Sequence, residues 1–110
     1  MVYTVLTALK LRSPGHAPRF WWHTLRSLSQ ARKAPGNLSV GVDRLGDHYC
    51  TITTWENVGA MRGFAYRGAH KRAIRAFPRI ATGYIHSYEG EPVSWDALME
   101  IVTAKGRAYD

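Results

Sequence analysis

Cysteine is almost absent: Cys50 is the only one among 110 residues. No intramolecular disulfide can form and no cysteine-rich zinc site can be assembled, so stability must come from packing, and a reducing cytoplasm is the expected setting. Acidic residues are scarce as well, 8 Asp and Glu against 15 Lys and Arg, for a net charge of +7. Such a surplus steers anionic partners toward the protein but says nothing about its fold. No stretch approaches the roughly 20 apolar residues of a membrane helix, and the opening MVYTVLTALKLRS has no basic leader before its apolar run. Neither export nor a membrane partner is expected. A nucleophile elbow, a phosphate-cradling loop, a zinc signature and paired catalytic carboxylates are all missing. Covalent and hydrolytic catalysis is therefore unsupported. A metal site is not expected either, since His16 and His23 lie two helical turns and about 10 Å apart, too far to chelate one ion.

What the chain does have is a hydrophobic share of 45% with 21% charged residues, the composition of a globular protein with one core. We expect a single domain over residues 1–105 and a frayed tail over 106–110. Thirteen Phe, Trp and Tyr residues exceed the needs of one thin core, which favours association with a second copy.

Residues 2–12 are rich in β-branched and apolar types and read as a first strand, closed by the Ser13-Pro14-Gly15 turn. A helix follows from His16, with Pro18 in its first turn and Trp21, Leu25 and Leu28 recurring at i, i+4, i+7. NLSVGVDR alternates Leu38, Val40 and Val42 against polar residues, and Leu45-Gly46-Asp47 connects it to HYCTITTW as an antiparallel hairpin. A second helix starts near Asn57, its candidate cap. Val58, Met61 and Ala65 mark one face of it, while Tyr66, His70, Ile74 and Phe77 mark another, so the helix is expected to break or bend near Gly68. Pro78 ends this region. Ile80, Tyr84, His86 and Tyr88 alternate as a fourth strand, and Ser94 caps a short final helix.

The order βαββαβ plus a short C-terminal helix is the split βαβ, ferredoxin-like arrangement: an α+β fold with a four-stranded antiparallel sheet and helices on one face. Both parities of the strands carry apolar groups, Tyr3, Val5, Leu9 and Leu11 against Val2, Leu6 and Ala8, so both sheet faces call for cover.

Arg62-Gly63-Phe64-Ala65-Tyr66 begins like the RNA-binding signature K/R-G-F/Y-G/A-F, but Arg67 and Ala69 stand where that motif needs Val and an aromatic residue. The segment also has helical periodicity, which keeps its aromatics off a strand. No sequence-specific nucleic-acid partner is expected. The band Arg62, Arg67, Lys71, Arg72, Arg75 and Arg79 is then either a solvated face or a dock for an anionic ligand.

Trp55-Glu56 at the end of the third strand, with Met61, Phe64 and His70 along the next helix, resembles the dimeric α+β barrel superfamily, and within it the antibiotic-biosynthesis-monooxygenase-like and spheroidene-monooxygenase-like branches. The resemblance implies a homodimer closed through the free sheet faces and, in each subunit, a pocket between sheet and helices for a small apolar or aromatic ligand. That superfamily includes cofactor-free oxygenases of polycyclic phenols, haem-degrading enzymes and cyclases. Two functions follow. One is a monooxygenase-like oxidoreductase acting on an aromatic or polyene substrate; the other is a non-catalytic dimeric binding protein of the same shape, with haem among its ligands. In haem-degrading relatives a His on the second helix ligates iron, a nearby Trp distorts the porphyrin and an Asn on the first strand supports the oxygen. His70 and Trp55 match in kind, whereas VYTVLTALKLR has no Asn and the Trp55–His70 spacing is shorter. The cofactor is accordingly none or haem.

His70 is the candidate catalytic residue, as proton acceptor or axial ligand, because imidazole changes charge near neutral pH. Its plain alternative is a helix histidine bonded to backbone or to Tyr66. Trp55, Tyr66 and His70 are expected to line one cavity, with Phe64 on its wall and Trp22 closing its mouth. His86, between Tyr84 and Tyr88, faces either this pocket or the dimer seam. Phe20, Trp21 and Trp22 spread over about 200° of their helix, so one buried stripe cannot hold all three.

Overall fold

The computed structural model describes residues 2–109. Its centre is β1 (Tyr3–Leu11), which pairs antiparallel with β3 (His48–Trp55) on one side and with β4 (Ala81–Glu89) on the other. β2 (Asn37–Leu45) forms the expected hairpin with β3, and the full sheet order is β2-β3-β1-β4-β5. The sheet has five strands where the sequence suggested four. β5 (Arg107–Tyr109), from residues read as a frayed tail, pairs with Gly83–Ile85. Gly106 makes this possible: a Cβ there would lie 2.4 Å from the Val102 carbonyl oxygen and 3.0 Å from that of Ile85, so only glycine lets the chain turn so close to both.

Because side chains alternate across a strand, the register divides the sheet into two faces. Tyr3, Val5, Thr7 and Leu9 share one face with Trp55, Thr53, Thr51 and Tyr49. The helices α1 (Ala17–Lys33), α2 (Val58–Ala65) and α3 (Gly68–Ile80) cover that face, with Phe20 and Ile80 packed on Leu9, and Ala31 and Phe64 on Trp55. Thr4, Leu6 and Ala8 point the other way with Cys50, Ile52, Tyr84 and His86. Here α4 (Trp95–Lys105) lies across the sheet, burying Leu98 and Val102 against Leu6, Ala8, Cys50 and Ile52. Each such side chain removed from water contributes about 1.5–3 kcal/mol. Helices thus occupy both faces rather than one, and a single chain covers a large part of the apolar surface at both strand parities.

The buried stripe of α1 differs from the expected one. It runs through Phe20, Thr24, Ser27, Leu28 and Ala31, while Trp21 is half-buried and Leu25 is 60% exposed. Phe20 wins the inward position because its ring stacks on Phe77 at 5.8 Å and packs at a tilt against Tyr49 at 5.3 Å, which rotates Leu25 outward. The second helical region does break. Asn57 caps α2 by accepting a 2.9 Å bond from the Ala60 N–H, the helix ends at Tyr66, and Gly68, at φ +55°, re-aims the chain into α3. α3 continues past Pro78 to Ile80 instead of stopping there.

Candidate functional site

Gln30, on the side of α1 that faces the α2–α3 junction, binds the break directly. Its side-chain amide donates to the carbonyl oxygens of Phe64 at 3.2 Å and Arg67 at 2.8 Å, and its oxygen accepts from the His70 backbone N–H at 3.0 Å. A helix break leaves backbone groups without intrahelical partners; Gln30 supplies one for the His70 N–H and adds a second donor to the Phe64 and Arg67 carbonyls, which already accept from the Arg67 and Lys71 N–H groups. His70 is thereby fixed in the first turn of α3.

The His70 ring is half-buried and lies 4.3 Å from the Phe64 ring. Its Nδ1 is 3.0 Å from the Ala65 carbonyl oxygen. A carbonyl only accepts, so Nδ1 carries the proton and, in the neutral ring, Nε2 holds the free lone pair. Burial pushes the His70 pKa below the usual histidine value, and the bond to Ala65 opposes this only in part. The neutral imidazole is therefore favoured near pH 7, with Nε2 making no hydrogen bond among the described residues.

Phe64 connects His70 to Trp55. The Phe64 and Trp55 rings stack at 5.0 Å with 27° between their planes, and the Trp55 indole N–H donates to Thr53 Oγ1 at 3.1 Å. Further along the same sheet face Thr7 and Thr51 stand opposite each other and share a hydroxyl–hydroxyl hydrogen bond. Thr24 and Ser27, on the buried stripe of α1, hold hydroxyls with no partner among the described residues. An unmade bond at a buried hydroxyl costs about 1–3 kcal/mol. On the face beneath α1–α3 the aliphatic and aromatic residues gather into two clusters, one around Leu9 and one around Trp55, with Thr7 and Thr51 lying between them in register.

The structure brings together three of the sequence-predicted residues and separates the others. Trp55, Phe64 and His70 form one aromatic cluster, in which Trp55 has 0% exposure and stands behind Phe64, and His70 meets Phe64 at a tilt. Tyr66 does not join them: it caps the end of α2 and is 67% exposed, because the break at Arg67 and Gly68 removes the continuous helix that would align it with His70. Trp22 is 52% exposed on α1, where it lines a groove with Pro18, Arg19 and His23. His86 stands opposite Leu6, on the α4 face, and stacks on Tyr88 at 5.6 Å, so strand parity puts it across the sheet from His70. Gln30, Thr24, Ser27 and the Thr7–Thr51 pair were not singled out in the sequence. The threonine-rich run Thr51-Ile52-Thr53-Thr54 was the available signal, since alternate threonines on an inward face are unusual for a core strand.

No family model and no curated protein sequence matches the chain. Solved structures do match it. SnoaB, a cofactor-independent oxygenase from Streptomyces nogalater, superposes with a TM-score of 0.68 at 14% identity, over 84% of this chain and 95% of that one. This chain shares the ferredoxin-like α+β fold of these antibiotic biosynthesis monooxygenase-like structures. A candidate antibiotic biosynthesis monooxygenase from Deinococcus radiodurans gives a TM-score of 0.67 at 24% identity, over 86% of this chain and 97% of that one. Another antibiotic biosynthesis monooxygenase gives 0.68 at 12% identity, over 84% of this chain and all of the other. At these identities the likeness extends to the fold.

A haem-degrading arrangement does not fit this site. The tryptophan that would press on a porphyrin has no exposed surface, being covered by Phe64.

Proposed function

We propose that the protein is a small-molecule enzyme of the monooxygenase-like kind, acting on a flat, apolar aromatic or polyene substrate with His70 as general base. The observation that carries this reading is the state of His70: an imidazole kept neutral by burial, its Nδ1–H tied to Ala65 and its Nε2 lone pair free. Such a group can take the proton of an enol or phenol, leaving an electron-rich anion that dioxygen can oxidise. Phe64, backed by Trp55, offers an apolar wall, and the unpartnered hydroxyls of Thr24 and Ser27 offer hydrogen bonds to substrate oxygens. The monooxygenase names of the structural neighbours support the same class. A homodimer in a reducing cytoplasm belongs to this reading, supported by the shared fold and by one buried, unpaired thiol.

Oxygen uptake with a panel of polycyclic phenols and polyenes tests it. His70→Ala should lower turnover about 10²- to 10⁴-fold, the usual contribution of a general base, with circular dichroism retained and only a modest fall in melting temperature from the lost bond to Ala65. Full activity in that variant, or loss of fold without a catalytic effect, makes His70 structural. Haemin titration separates the second reading: a Soret shift that His70→Ala abolishes, with no oxygen uptake on any substrate, identifies a binding protein.

A further inference from the structure

The outward turn of Leu25 leaves a surface on α1 that the core does not use. Trp22 and Leu25, three residues apart on one helix face, are 52% and 60% exposed, and the Arg26 guanidinium lies over the Trp22 ring at 5.1 Å. Pro18, Arg19, Trp22 and His23 line a shallow groove of about 380 Å³. A second groove of about 300 Å³ shares Arg19 and continues across the seam to Arg72, Arg75 and Arg79 of α3. Ten of the 15 Lys and Arg residues fall within residues 17–33 and 58–80, and none of the 8 Asp and Glu residues does. Among the described residues those ten make no ion pair.

We propose that this helical layer docks on the surface of an anionic lipid bilayer, with Trp22 and Leu25 entering the headgroup–acyl boundary and the Arg19, Arg72, Arg75 and Arg79 groove seating lipid phosphates. A cationic surface interrupted by exposed Trp and Leu has the composition of an interfacial helix. Guanidinium groups bind phosphate oxygens in a forked geometry, and the long Arg stems let the charge reach the headgroups while Trp22 sits deeper. A second copy is a poor occupant, because a two-fold contact would set this cationic layer against itself. Nucleic acid would satisfy the charges and leave Leu25 without a role. The inference goes beyond the proposed enzyme function and does not depend on it.

Cosedimentation of the full chain with vesicles tests the proposal. Binding to phosphatidylcholine–phosphatidylglycerol vesicles, and none to phosphatidylcholine alone, is expected. The double variant Arg72→Gln/Arg75→Gln should weaken binding by roughly fivefold per charge removed. Trp22→Ser/Leu25→Ser should weaken it by about tenfold or more. In the wild-type chain, brominated phosphatidylglycerol should quench Trp22, the one tryptophan more than half exposed, which keeps the test independent of any variant's folding. Absence of binding at low ionic strength overturns the proposal, as does binding that ignores the Trp22/Leu25 change and shows no quenching, which is simple polycation adsorption. Tighter binding to single-stranded RNA than to the vesicles at physiological salt also overturns it.

Discussion

His70 and Cys50 are both titratable groups held in their neutral form by burial, and each makes a measurable prediction. The folded-state pKa of His70 lies below the ordinary histidine value of 6.5, so the unfolded chain takes up a proton there before the native chain does. Stability linked to His70 is thus fully present above about pH 6.5 and is lost as pH falls from there through the lowered folded value. His23, lowered by burial and by Arg19, acts in the same direction. Melting temperatures at pH 7 and pH 5 should show the drop, and His70→Gln should reduce it. For Cys50, burial pushes the thiol up to about 11, so almost no thiolate exists at neutral pH. Thiol reagents should leave the native protein unmodified and label it only at the rate of unfolding; rapid labelling at pH 7.5 would contradict the buried placement.

At the scale of elements, the α2–α3 break depends on two polar side chains. Asn57→Ala removes the bond to the Ala60 N–H and should cost about 1 kcal/mol, read from urea denaturation. Gln30→Ala releases three bonds at once, so a larger loss is expected, and hydrogen exchange at the His70 amide should rise first. If exchange there is unchanged, Gln30 does not hold the junction. The break itself was legible in the sequence, because the apolar positions before and after Gly68 fall on different helix faces. The hairpin, the central strand and the Asn57 and Ser94 caps were legible for similarly local reasons. Gln30 was not, since nothing local distinguishes a glutamine that bonds another helix from one in water. Trp55, Phe64 and His70 could be paired from sequence, whereas the position of Tyr66 depends on the exact site of the break, and that of His86, open between pocket and seam, on the strand's face. Leu25 was misread because its periodicity fits a core stripe as well as Phe20 does, and only the ring partners of Phe20 decide between them.

For the whole molecule, the proposed dimer would have to share one sheet face with α4. α4 already covers Leu6, Ala8, Cys50 and Ile52, leaving Tyr84, Tyr88, Trp95 and Met99 partly buried around it. The proposed homodimer would form about α4 and these residues; light scattering at micromolar concentration should give twice the chain mass, and a clean monomer removes the dimer from the proposal. Ending the chain after residue 93 should expose the apolar residues beneath α4 and produce aggregation.

The position of β1 also has a consequence in time. Its residues are made before those of the other strands, yet their partners are 40 residues away for Leu9 and 52 for Tyr3 on the β3 side, and 70 to 86 away on the β4 side. At roughly 5–20 residues per second, a ribosome needs several seconds to deliver β4 after β1 has emerged. During that interval the middle of the finished sheet exists as a strand with an open edge, and a nascent chain stalled before residue 81 should be digested by protease across Tyr3–Leu11, while one stalled well beyond Glu89 should resist.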